Sequence, residues 1–159
     1  MPPTLEEVVY ALARAGLDEQ RELATDLRAS AAPVLAGGAA LAALLARPAI
    51  ADGVSFVHRP VHAGLVCAGI AGAVTALVGS LLVLAAWDLA FAVDPARLYA
   101  DAYRDRDRPG VYLIGIAEAH RVRQESNVEE ILRIHRCLAG GRIGVVLELV
   151  GFALALAVH

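Results

Sequence analysis

Few residues in this chain could do chemistry, and they are scattered. Glu148 lies inside the apolar run Ile143 to Val158, six residues beyond Arg142. A helix rises about 1.5 Å per residue, so the carboxylate would sit about 9 Å deeper than that arginine. Six residues also turn a helix through about 600°, which leaves the two side chains on different faces. An acid at the bilayer centre costs about 3 kcal/mol on insertion scales, and such acids face protein or water. Glu148 is therefore the candidate membrane-embedded acid. Three fates are open to it: a hydrogen bond to a neighbouring helix, the wall of an aqueous path, or an interfacial segment that never crosses.

His58 and His62 stand four apart, a spacing that on a helix would let both reach one metal ion. Pro60 between them argues against a regular helix, and no third ligand is evident. They read as loop histidines near a membrane surface, so no metal is assigned. His135 falls on an apolar helical stripe and reads as a packed residue. Cys67 and Cys137 are too few for a disulfide framework and are expected toward opposite membrane faces. There is no Walker A loop, GxGxxG, GxSxG, HExxH or CxxC pair, so no catalytic residue and no cofactor is assigned. All 14 basic residues are Arg and the formal net charge is −3, which gives no electrostatic case for a nucleic-acid partner.

The elements that would hold these residues are apolar helices. Hydrophobic residues make up 58% of the chain, above the roughly 45–50% of soluble domains. Ala63 to Trp87 is uncharged and long enough to cross a hydrocarbon core about 30 Å thick. Weaker spans are expected at 29–46, where Pro33 can kink the helix, and at 143–158. Trp87 would mark the interface. A helical segment at 4–28 precedes the first span. In it Thr4 and Glu7 have capping-box spacing, Leu5, Val8, Val9 and Leu12 form an apolar face, and Gly16 is an expected break. After Gly16, Leu17, Leu23 and Leu27 give a thin apolar side. Helices are expected over 94–139: one from Asp94-Pro95, broken at Pro109-Gly110, then one from about Val111. The second carries an apolar stripe of Val128, Ile131, Leu132, His135 and Leu138, and Gly140-Gly141 should end it.

The predicted fold is thus all-α, a single helical membrane domain over 1–159 with two or three transmembrane helices and a cytoplasmic helical segment. The first 28 residues carry three Arg and 88–142 carry nine, against two in 47–62. By the positive-inside rule the N-terminus is cytoplasmic in a multi-pass protein of the inner (cytoplasmic) membrane. The start, MPPTLEEVVY, is acidic and lacks the basic region of a cleavable signal.

Within 63–87, Gly64, Ala68, Gly72, Ala76 and Ser80 recur at every fourth position. Small side chains let helix backbones approach closely, which drives association in lipid, so these five are the predicted helix-packing face. The lipid bilayer and other copies of the chain are the expected partners.

The run Asp26-Leu27-Arg28-Ala29-Ser30, where a polar helix enters the first span, resembles the ADxKAS motif of Pycsar transmembrane effectors and related SLATT proteins of antiphage defence. Asp26, Arg28, Ala29 and Ser30 carry that likeness, with Arg28 where the family usually has Lys. Two close spans, a helical segment after them, and Ile134-His135-Arg136 before a last apolar stretch are also similar. The resemblance implies disruption of the membrane when infection raises a cyclic nucleotide. The chain shows no nucleotide-binding domain, so sensing would fall to a partner, a cyclic-nucleotide sensor or cyclase system, or to the helical segment itself. Two other readings are a non-catalytic membrane anchor or assembly subunit, and a soluble bundle with an Ala-rich core.

Overall fold

The structure is a computed structural model and describes residues 3–51, 53–55, 57–85, 87, 89–91 and 109–158. The helix expected from Asp94-Pro95 lies outside the described residues. All regular structure among the described residues is helical. Helix α1 is Leu5–Leu41; it continues through a wider π turn, Ala42–Ala46, into α2, Arg47–Ile50. Helix α3 is Pro60–Leu84 and α4 is Pro109–Val158. Three apolar helical stretches, within 5–50, 60–84 and 110–158, are long enough to cross a membrane. The chain is an all-α helical membrane protein.

The first turn of α1 is closed by the expected reciprocal cap. The Thr4 amide donates to Glu7 Oε2 at 2.9 Å, and the Glu7 amide donates to Thr4 Oγ1 at 3.3 Å. Several expected breaks do not occur. Gly16 lies within α1, because a side-chain amide from α4 occupies the place a Cβ would take there. Pro33, expected as a kink site and not as a break, lies within α1. Pro60 begins α3 instead of excluding a helix, since the first helical positions need no amide donor. His62 is consequently a buried helical residue, and His58 an exposed loop residue. Helix α3 stops at Leu84, so Trp87 lies beyond it. Gly140-Gly141 is interior to α4, because Gly141 is held against α3.

The chain divides into two compact units. The first comprises Met1–Thr25 with Trp87–Arg133, and the second Asp26–Ala86 with Ile134–His159. In the first unit the expected face Leu5, Val8, Val9 and Leu12 is exposed, Leu5 by 75% and Leu12 by 67%. The side of α1 that packs on α4 instead carries Ala13, Leu17, Gln20 and Ala24. The expected stripe on α4 is displaced as well. Ile131 and Leu138 are buried, but Val128, Leu132 and His135 face outward, and Asn127 and Ile134 take their place. Asn127 and Ile131 are buried in the first unit and Ile134 and Leu138 in the second, each pair four residues apart.

In the second unit α3 runs antiparallel to α4 at backbone contact. Gly69 meets Gly151, Gly72 meets Gly144, and Gly79 meets Gly141. A Cβ at Gly144 would lie 2.7 Å from the Gly72 carbonyl oxygen; one at Gly79 would lie 2.8 Å from the Gly141 amide. Helix α1 completes the unit: Gly38 lies against Ala76 and Val145, and Val34 lies near Gly141. A cluster of Ala49, Val66, Phe152 and Ala155 closes one end. Most outward-facing positions on α3 and over 143–158 of α4 are aliphatic, including Ile70, Val74, Leu81, Val146 and Leu149. That is the surface a helix presents to lipid.

Replacing Gly72 by Leu should drive α3 from α4 and destabilise the protein by about 1–3 kcal/mol. Gly64, with nothing within 4 Å of its Cβ position, should accept Leu without loss. Thermal unfolding of both variants in detergent checks this; equal midpoints would refute the backbone seam.

Candidate functional site

The expected packing face divides between two sides of α3. Gly72, Ala76 and Ser80 are buried, whereas Gly64 and Ala68 are exposed. A four-residue step advances about 40° beyond a full turn, so five such positions sweep about 160° of the helix. No straight neighbour can meet them all. Gly64 and Ala68 instead align with Ala71 and Thr75, all exposed. Thr75 Oγ1 donates to the Ala71 carbonyl at 2.8 Å, which hides its hydroxyl. Helix α3 therefore carries two small-residue faces, one inside the unit and one outside.

Glu148 is completely buried, at 0% exposure. The tight approach of Gly72 leaves no room on that side, and the carboxylate reaches α1, where a Cβ at Gly38 would lie 3.4 Å from Oε2. No hydrogen-bond partner for either carboxylate oxygen is present among the described residues. Gly38 and Gly72 lie near the midpoints of the uncharged run 29–46 and of α3, which places the acid midway across the apolar unit. The Ser80 hydroxyl, about two turns along α3 from Gly72, is also buried and has no hydrogen-bond partner among the described residues. An open apolar groove of about 220 Å3 runs between α1 and α3, lined in part by Gly38, Ala42, Ala73 and Ala76.

The remaining expected residues stay apart from this centre. Asp26 and Ala29 are exposed and Arg28 and Ser30 half-buried, all within unbroken α1. His58 and His62 join no group of three or more metal-ligating side chains among the described residues. Cys67 and Cys137 are free. Cys137 lies against Gly79, twelve residues from Cys67, or about 18 Å along α3.

A polar seam in the first unit escaped the sequence reading. Asn127 is buried and pairs with both main-chain groups of Ala90. It accepts from the Ala90 amide at 3.1 Å and donates to the Ala90 carbonyl at 3.2 Å. Gln124 Nε2 donates to the Ala13 carbonyl at 2.7 Å, and Gln20 Nε2 donates to the Gln124 carbonyl at 3.1 Å. His120 lies beside Tyr10, ring centroids 6.0 Å apart. The signal is its spacing: His120, Gln124, Asn127 and Ile131 follow one another by steps of four, three and four. Their polarity masked it from a search for apolar periodicity. Outside the seam, Arg121 pairs with Glu118 and Glu125 on the exposed side of α4. Glu118, with Glu125, makes the Arg121 guanidinium hold its proton more firmly, and Arg121 keeps the Glu118 carboxyl below the usual carboxylate range. Such exposed pairs add little stability.

No family model, no curated protein and no solved structure matches the chain.

Burial lowers the His120 imidazole below its ordinary value near 6.5, with Arg123 and Arg14 adding to the effect and Asp18 opposing it. Folding therefore favours the neutral ring, and the unfolded chain binds a proton first as pH falls. Stability should be complete above about pH 6.5 and decline below it, down to the folded value. His120→Gln should flatten that decline in pH-dependent melting; an unchanged slope would assign it to other groups.

Proposed function

We propose that the chain is a non-enzymatic membrane effector that self-associates in the inner (cytoplasmic) membrane and permeabilises it. The observation that carries this reading is the second small-residue face of α3. Gly64, Ala68, Ala71 and Thr75 point outward from a unit whose own seam is already made by Gly69, Gly72 and Gly79. A small-residue face on a lipid-facing helix is a surface for another helix backbone, and a second copy supplies one. The arginine distribution supports a cytoplasmic N-terminus. The likeness of Asp26, Arg28, Ala29 and Ser30 to the antiphage effector motif supports a cyclic-nucleotide trigger, sensed through a partner or cyclase system. A second reading, an anchor or assembly subunit, is favoured by the exposed apolar side Leu5, Val8, Val9 and Leu12, which suits a partner protein.

Inducing the chain together with a nucleotide cyclase should depolarise cells, read with a potential-sensitive dye. Gly64→Leu should weaken both crosslinking between copies and depolarisation while leaving the melting midpoint unchanged. No depolarisation with any cyclic nucleotide supplied would leave the anchor. For orientation, Ser126 is exposed on α4. Ser126→Cys in an otherwise cysteine-free chain should resist a membrane-impermeant thiol reagent in intact cells and react after lysis; rapid labelling of intact cells would invert the topology.

A further inference from the structure

The geometry points to Glu148 as a proton-binding site whose neutral acid latches α1 onto the α3–α4 pair. A carboxylate taken into an apolar interior keeps its charge only with a counter-charge or several donors. Neither is present among the described residues. Helix α1 presents no charged or titratable side chain between Arg28 and Arg47. On α3 the nearest titratable groups are Cys67, which is exposed, and His62 near the helix start, about 15 Å from Gly72. On α4 itself Arg142 is exposed on another face. A proton is the one ligand that needs no further protein oxygen. A metal ion would need several, and no group of three or more metal-ligating side chains occurs among the described residues.

The same geometry says what loss of the proton would do. The side of Glu148 toward α3 is closed by backbone, since the Glu148 amide and Cα abut Gly72. Toward α1 its Oε2 lies 3.4 Å from where a Gly38 Cβ would stand, and Gly38 and Ala76 both border the open groove. A bare carboxylate gains solvation most readily by parting α1 from the pair along that groove. The α turn beyond Gly38 widens into the π turn Ala42–Ala46, a feature that recurs where helices carry function. The inference concerns the folded single chain and holds whether or not copies associate or permeabilise the membrane.

A lipophilic carbodiimide tests the site in the purified protein in detergent. The acid gives its proton to a carbodiimide nitrogen, its oxygen bonds the central carbon, and acyl transfer to nitrogen leaves a stable N-acylurea with nothing released. Peptide mass mapping at neutral pH should find this adduct at Glu148 and none in Glu148→Gln. A water-soluble carbodiimide with an added amine should modify exposed Glu125 and spare Glu148. No adduct at Glu148 in protein that keeps its helical circular dichroism, or modification of Glu148 as fast as Glu125 by the aqueous reagent, would overturn the proposal. Hydrogen exchange tests the latch. After correction for intrinsic rates, raising the pH should speed exchange over 29–46 in the parent and not in Glu148→Gln. Equal exchange in the two would refute the latch.

Discussion

The membrane unit depends on how closely two backbones can approach. Lipid tails are as apolar as leucine, so helices in a bilayer are not driven together by the hydrophobic effect; packing and hydrogen bonds hold them. At the α3–α4 crossing that packing is made by paired glycines, and the places where side chains would project are filled by the opposite backbone. Everything at the centre of the unit follows from this contact. With α3 pressed against the Glu148 amide, the acid's side chain has one direction left, toward α1. There Gly38 leaves it space and offers no polar group in return.

The first unit meets the same problem of joining α1 to α4 with different chemistry. There α4 carries His120, Gln124, Asn127 and Ile131 by steps of three and four. The amides come first and make directional bonds to main-chain groups of Ala13 and Ala90. Such bonds matter because a buried amide left unpaired costs about 1–3 kcal/mol. Gly16 serves this arrangement by giving room to the Gln124 amide. Its glycine is therefore spatial in purpose, as at Gly72, although the neighbour is a polar side chain instead of a helix backbone.

Two physical facts separate what the sequence made legible from what it did not. Long uncharged runs declare themselves without any partner, because length and transfer energy are properties of the segment alone. The three apolar helices and the Thr4–Glu7 cap were of that kind. Breaks and faces belong to pairs of helices. Intrinsic propensity makes Gly16 and Gly140-Gly141 breaks, and tertiary contact overrides it; Pro60 stands at a helix start, where proline is tolerated. The stripe from Gly64 to Ser80 was read with a four-residue step, whereas packed helices meet with a step near 3.5. The error grows along the helix, so Gly72, Ala76 and Ser80 are buried while Gly64 and Ala68 are exposed. Glu148 was visible because one acid in a run of aliphatic residues stands out in any register.

Burial of Glu148 also bears on why an acid occupies that place at all. A side chain there contributes to packing through its methylenes, which a methionine or leucine would supply without a desolvation cost. Hydrogen bonding does not explain the acid, since neither oxygen has a protein partner among the described residues. Register does not explain it either, because the glycine pairs already fix how α3 meets α4. What an acid has and its isosteres lack is a proton it can release. The remaining helix, α1, is the one joined to the pair without a glycine-to-glycine seam, through Gly38 and an open groove. The acid therefore sits where α1 meets the pair beside an open groove, so a change of one charge acts at a contact that backbone does not close.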